Sequence, residues 1–164
     1  MWRKSSDWFV FLGVLLAVLV GFGAYKFNLE TKKLWTPVTS KELGLECLED
    51  HLNLEYHIHS YLRILVDGVN EPIPANVGIT DICMAEVHTH DATGKIHVET
   101  VTGEKLISVE TFLKLWGKPL RRPGYILTVY LGEKDVTDVV ERLNFYNDDD
   151  IVLKYESLGS LRDK

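Results

Sequence analysis

The chain has 164 residues, of which 46% are hydrophobic, and it carries a net charge of −6 at neutral pH. This length leaves room for one domain with a packed core, and the acidic balance argues against a nucleic-acid partner, because phosphate binding requires a basic surface. There are two cysteines, a small even number that suits one disulfide in an oxidising compartment.

An uncharged apolar segment runs from Trp8 to Tyr25. Its length comes close to the ~20 residues that cross the hydrocarbon core of a bilayer. A chain this short could not enclose a helix that is apolar on every side, which argues against a buried core helix. The sequence therefore predicts an N-terminal transmembrane anchor over residues 1–27, with residues 8–25 in the membrane.

A cleaved signal peptide is the alternative interpretation of this segment. Arg3 and Lys4 supply a positive start, and residues 21–23 supply a small-x-small cleavage pattern. Basic residues on both sides of the apolar run leave the orientation undecided by charge alone. We expect a single-pass membrane protein with its N-terminus in the cytoplasm, because both cysteines follow the apolar run and a disulfide needs an oxidising compartment.

Residues 28–45 are polar, mixed in charge and interrupted by Pro37, which is typical of a linker. An extracytoplasmic domain is predicted over residues 46–156. Residues 157–164 are expected to form a flexible tail.

Alternating apolar and polar residues predict three strands in the first half of this domain. The first is YHIHSYLRILV, in which the apolar residues face one side and His57 and His59 face the other. The Asp67-Gly68 pair that follows is a hairpin signal. The second and third strands are CMAEVHTH and KIHVETV, separated by residues 91–94.

The second half contains one predicted helix, SVETFLKLWGKPL. Ser108 can cap its N-terminus, Gly117 suits the left-handed position at its C-terminus, and Pro119 ends it. The remaining strands are YILTVYL and NDDDIVLKY. The order of elements predicts an α+β fold in which a transmembrane helix precedes a small antiparallel β-rich domain, and this order resembles a β-grasp arrangement with an extra N-terminal hairpin.

Two H-x-H pairs and a single histidine lie on the predicted strands. These residues are His57, His59, His88, His90 and His97. Because side chains alternate along a strand, each H-x-H pair presents two imidazoles on one face. Gathered imidazoles are typical ligands of copper or zinc, so we predict a metal site formed by these five residues. The alternative is a polar sheet face on which the histidines bond to their neighbours. His51 lies outside the pattern and is expected to be solvated.

The face on which His97 lies depends on the register of the hairpin before it. A three-residue loop with a bulge pairs Thr89 with His97 and turns that histidine to the opposite face. A four-residue loop over residues 91–94 pairs His88 with His97. We predict the second register, because only it puts the apolar residues of the two strands on one face. Glu86 and Glu99 then lie farther along the histidine face.

Several spaced motifs carry a resemblance to a known family. They are Cys47, His57-Ile58-His59, Pro74 to Gly78, Cys83, His88-Thr89-His90, Ile96-His97-Val98-Glu99 and Trp116-Gly117. The sequence resembles a family of uncharacterised prokaryotic proteins that are membrane-anchored or secreted, over residues 45–120. The resemblance implies that both cysteines and the five histidines belong to the family pattern, and it implies no activity.

Together these features predict a membrane-tethered extracytoplasmic metal-binding protein. Copper is preferred to zinc, because several imidazoles without a competing thiolate suit an oxidising compartment, and Cys83 is then a disulfide partner and not a ligand. One alternative is a mononuclear metalloenzyme, in which two histidines and Glu99 bind iron and leave positions open for oxygen or water. Another alternative is a non-metal accessory subunit of a larger membrane complex.

Overall fold

A computed structural model describes residues 37–49 and 51–159. The predicted membrane span at residues 8–25 and the end of the predicted tail, residues 160–164, lie outside the described residues. Within the described part of the chain, no helix is both long and apolar enough to cross a membrane.

The described residues form a small, mostly β domain with few helical segments, which confirms the β-rich part of the predicted fold. The strands are β1 (Cys47–Leu48), β2 (Tyr56–Val66), β3 (Val69–Glu71), β4 (Ile79–Thr80), β5 (Cys83–Ala85), β6 (Val87–His88), β7 (Lys95–Thr100), β8 (Tyr125–Leu131), β9 (Lys134–Asp135) and β10 (Asp150–Ser157). The helix α1 is Val109–Trp116, and 3₁₀ turns occupy Lys41–Leu43 and Thr137–Arg142.

The larger sheet is mixed. Its strands follow the order β6-β7-β2-β10-β8-β9, with β3 also paired to β2. Strand β2 is antiparallel to β7, and β10 is antiparallel to β8, but β2 and β10 are parallel to each other. The prediction of an antiparallel domain is therefore wrong for this central pair. Parallel neighbours need a long crossover, and here the crossover contains most of the domain, including α1, so no local hairpin signal reveals it.

The longest strand, β2, has the predicted alternation. Ile58, Leu62 and Ile64 are buried in the core, which they share with the apolar face of α1. The turn after β2 is also confirmed: Asp67 and Gly68 have φ values of 49° and 81°, as a tight two-residue hairpin requires.

The helix begins and ends where the sequence predicts. The Ser108 hydroxyl accepts a hydrogen bond from the Thr111 N–H at 3.1 Å. Gly117 ends the helix with φ at 81°, and a Cβ there would lie 2.7 Å from the Pro37 nitrogen. The predicted linker contacts the same helix within its described residues, because the Val38 N–H donates to the Lys114 carbonyl at 2.9 Å.

The predicted strand CMAEVHTH is divided between two sheets. Its first part, β5, pairs with β1 and β4 in a three-stranded sheet, whereas β6 joins the larger sheet through β7. Glu86 separates the two parts, and its buried carboxylate accepts hydrogen bonds from the Glu46 N–H at 3.0 Å and from Lys105 Nζ at 2.5 Å. The strand is therefore interrupted at Glu86, where the carboxylate bonds to Glu46 and Lys105.

The predicted disulfide between Cys47 and Cys83 is confirmed. The two Cα atoms are 5.0 Å apart, and the bond joins positions 36 residues apart in the sequence. It links β1 to β5, which are also paired by their backbones. The covalent link therefore fixes the start of the segment that leads from β1 to β2.

Candidate metal centre

Three neighbouring strands, β6, β7 and β2, bring histidines into one row. His88 lies directly opposite His97, and His97 lies directly opposite His59. The predicted pairing of His88 with His97 is therefore confirmed. The ring centroids of His97 and His59 are 4.5 Å apart, and the rings of His88 and His97 are stacked with centroids 5.4 Å apart.

The loop between β6 and β7 fixes this register. Asp91 Oδ1 accepts hydrogen bonds from the N–H of Thr93 at 2.9 Å and from its hydroxyl at 2.5 Å. Gly94 follows with φ at 85°, and a Cβ there would lie 2.5 Å from the Leu62 carbonyl oxygen. Only glycine combines this backbone conformation with so close an approach to β2.

The Glu99 carboxylate lies among the histidine rings. Its side chain is 1% exposed. Its Oε2 atom is 2.8 Å from His51 Nδ1, whereas its Oε1 atom is 3.1 Å from His57 Nε2 and 3.4 Å from His97 Nδ1. The sequence predicted Glu99 farther along the histidine face and as a ligand in the iron-enzyme alternative, and the structure places it between several rings.

The expectation that His51 is merely solvated is wrong. Its side chain is half exposed, but its Nδ1 atom contacts Glu99 and its ring centroid lies 5.1 Å from that of His90. His51 follows β1 on a loop, so strand periodicity gives no sign of it. Its position four residues after Cys47 is the available signal, because the disulfide anchors that segment beside β5.

The possible ligands divide into two groups. The first group is His51, His88, His90 and Glu99, and the second group is His57, His59 and His97. Within each group, one donor atom from each residue lies within 4.8 Å of the others. The structure thus brings all five predicted histidines to one face, in two adjacent groups and not in a single set. Their role as metal ligands stays a prediction.

Each H-x-H pair brings two Nε2 atoms together. The distance is 3.0 Å between His57 and His59, and 3.1 Å between His88 and His90. Two nitrogens bound tetrahedrally to one zinc ion would lie about 3.3 Å apart. The observed spacing therefore suits two ligands of one ion, and it also suits an N–H···N hydrogen bond between two neutral rings.

The orientation of the His88 ring leaves one nitrogen, Nε2, free to bind a metal ion beside His90. Its Nδ1 atom is 2.8 Å from the Ala85 carbonyl oxygen. A carbonyl only accepts hydrogen bonds, so Nδ1 is assigned the proton and the lone pair belongs to Nε2, which faces His90. A backbone acceptor on the far nitrogen is typical of histidines that bind metals.

Burial keeps the inner rings neutral. Burial lowers the pKa of His88 to about 4, and burial together with the charges of neighbouring histidines lowers the pKa of His97 to about 4. Burial also lowers the pKa of His59. For Glu99, burial acts to raise the pKa, but the hydrogen bond from His51 and the charges of nearby histidines outweigh it and lower the pKa. Neutral imidazole and ionised carboxylate are the forms that bind metal ions.

Two buried polar atoms in the middle of the face have no hydrogen-bond partner among the described residues. They are His97 Nδ1 and Glu99 Oε1, which are 3.4 Å apart without the alignment of a hydrogen bond. A buried polar atom left unsatisfied costs about 1–3 kcal/mol. A cation held by the surrounding nitrogens would satisfy the carboxylate oxygen, so the donor set fits a metal ion.

The fold and the site together define a small, mostly β, disulfide-bonded domain with His/Glu groups that could hold a metal ion. Comparisons of the chain with protein-family models, with curated proteins and with solved structures found no significant match. The geometry of the histidine face is therefore the basis for assigning a function.

Proposed function

We propose that this protein is a membrane-tethered, extracytoplasmic metal-binding protein whose first group, His51, His88, His90 and Glu99, holds a copper or zinc ion. The observation that carries the proposal is the convergence of four donor atoms within 4.8 Å of one another. Two of the four side chains are almost completely buried, with 0% exposure for His88 and 1% for Glu99. Burying such groups is costly unless they have partners; the Ala85 carbonyl and His51 each provide one, and a cation would provide another.

The donor set favours a late transition metal. It consists of three imidazoles and one carboxylate, and both cysteines are committed to the disulfide. Ligands of this kind suit zinc and copper, whereas calcium and magnesium prefer sites built entirely from oxygen. Copper stands ahead of zinc in this proposal, because nitrogen and oxygen ligands bind Cu²⁺ more tightly than Zn²⁺.

The location outside the cytoplasm is part of the proposal. The Cys47–Cys83 disulfide supports it, since structural disulfides persist in oxidising compartments. The uncharged segment at residues 8–25 would supply the tether, with the N-terminus in the cytoplasm. Membership of the uncharacterised prokaryotic family belongs to the same proposal and rests on the motifs that carry the resemblance.

The strand order supports a β-grasp relationship. In the order β7-β2-β10-β8-β9, the first and last of these strands in the sequence, β2 and β10, are parallel neighbours in the middle. Helix α1 follows β7 and precedes β8, as in a β-grasp sheet. In this interpretation, β6 is an added edge strand, and the added strand carries His88.

Metal content tests the proposal directly. The full-length protein, purified in detergent, exposed to Cu²⁺ or Zn²⁺ and dialysed, should retain at least one ion per chain by inductively coupled plasma mass spectrometry. His90→Ala should weaken binding at least about tenfold, because even the residues that orient metal ligands contribute 10–100-fold. Arg63→Ala is the matched control, since Arg63 is an exposed residue of β2 outside both groups. Absence of retained metal would overturn the proposal and favour the accessory-subunit alternative.

A metalloenzyme is the second candidate function, and the exposure of the second group favours it. The His57 side chain is 43% exposed and His59 is partly exposed, so an ion held there would face solvent. Catalytic zinc sites likewise combine three protein ligands with a position open to water or substrate. Azide added to the copper-loaded protein should produce a ligand-to-metal absorption band if such a position exists, and an unchanged spectrum would count against an enzyme.

A further inference from the structure

We propose that the histidine face binds two metal ions, one in each group, and that the Glu99 carboxylate bridges them. The inference rests on the proposed function, because it takes the first group as a metal site. It adds the second group, His57, His59 and His97, as a second site and assigns Glu99 to both.

The second group has the donors of a site in its own right. His57 and His59 project from one strand with their Nε2 atoms 3.0 Å apart, and His97 stands directly opposite His59 on the neighbouring strand. One nitrogen from each ring lies within 4.8 Å of the other two. Three imidazoles on two paired strands provide three ligands of a four-coordinate ion, and a fourth ligand is needed.

Glu99 supplies that fourth ligand from the side of the first group. Its two oxygens face different neighbours: Oε2 contacts His51 of the first group, whereas Oε1 is 3.1 Å from His57 Nε2 and 3.4 Å from His97 Nδ1 of the second group. The Oε1 atom is also buried without a hydrogen-bond partner among the described residues. An ion in the second group would be the missing partner.

The two groups are adjacent enough to share a carboxylate. The parallel rings of His88 and His97, which belong to different groups, have centroids 5.4 Å apart, and those of His90 and His97 are 4.7 Å apart. Metal ions in two-metal sites lie about 3.5–4 Å apart. Two divalent ions at that distance repel each other, and a carboxylate between them offsets part of the repulsion. Glu99 contacts histidines of both groups, and its side chain is shielded from solvent.

Copper titration of the full-length protein in detergent tests the proposal. We expect native mass spectrometry to find two Cu²⁺ ions per chain at saturation. The electron paramagnetic resonance spectrum should show dipolar broadening and a half-field transition, because the two ions are close. His57→Ala/His59→Ala should bind one ion and give an unbroadened spectrum. His51→Ala/His90→Ala should also bind one ion, whereas Arg63→Ala should keep two.

The design separates this inference from the proposed function. If the wild-type protein binds no copper, both fail. If it saturates at one ion, the second site is overturned and the first remains. If it binds two ions whose spectra are those of isolated copper, or if Glu99→Gln leaves the broadening unchanged, the bridge is overturned. The four histidines replaced in the double variants are at least partly exposed, and the wild-type titration decides the stoichiometry even if a variant fails to fold.

Discussion

Removal of the disulfide should destabilise the domain and weaken metal binding together. Cys47→Ser/Cys83→Ser breaks a link between positions 36 residues apart. In the chain-entropy model, a loop of that length contributes about 4 kcal/mol to the free energy of unfolding. For a domain of this size, such a loss lowers the melting temperature by roughly 10–20 °C.

Thermal unfolding followed by circular dichroism measures this change. The samples should contain a chelator, because a bound metal would add its own stabilisation to the wild-type protein. Wild-type protein treated with a reductant is the matched control, since it loses the bond without a change of sequence. A decrease of less than about 3 °C would refute the reasoning, because the loop would then be constrained by other contacts.

The same variant tests whether the disulfide positions His51 in the candidate metal centre. The bond fixes β1 beside β5, and His51 follows β1 by a few residues, so loss of the bond should let His51 move away from Glu99. Copper affinity should therefore decrease, and adding His51→Ala to the serine variant should cause little further loss. If the two changes instead act additively on affinity, the disulfide does not act through His51.

Three further predictions concern pH, the hairpin and topology. The metal-free protein should lose stability as pH falls from about 6.5 to about 4, because His88 and His97 take up protons there in the unfolded chain but stay neutral in the fold. The lowered pKa of His88 alone corresponds to a loss on the order of 3 kcal/mol in the free energy of unfolding. Urea denaturation at several pH values measures this loss. Stability that is constant over that range would contradict the neutral, buried rings. Gly94→Ala should destabilise the domain by about 1–3 kcal/mol through backbone strain and its close approach to Leu62, whereas an equal melting temperature would show that the loop adapts. A phosphatase reporter fused after Lys164 should be active outside the cytoplasm, and a reporter active only inside would reject the proposed orientation.

The parts of the fold that were predictable from the sequence depend on neighbours in the chain. Alternation along β2 and the loop before β7 are local patterns, and the loop length together with the apolar pattern of the two hairpin strands led to the pairing of His88 with His97. The apolar pattern decided between the two registers, because a slip by one residue would turn a row of apolar side chains toward solvent.

The parts that were not predictable depend on contacts between distant segments. The parallel pairing of β2 with β10 joins the two ends of the domain, so no local turn signals it. His51 reaches the site because a disulfide and a short strand hold its loop in place. The predicted register placed Glu99 farther along the histidine face, but its contacts with His51 and His57 depend on a loop and a strand that are distant in the sequence.

The two groups differ in how deeply their ligands are buried, and this difference should affect how fast each would exchange a metal ion. In the first group, His51 and His90 are exposed but His88 and Glu99 are buried, so an ion there would have to break its bonds to two buried ligands before it could leave. The second group faces solvent through His57 and His59, so its ion could exchange directly with a ligand in solution. One face of a single sheet would then hold a slowly exchanging ion beside a rapidly exchanging one, with the buried carboxylate as the boundary between them.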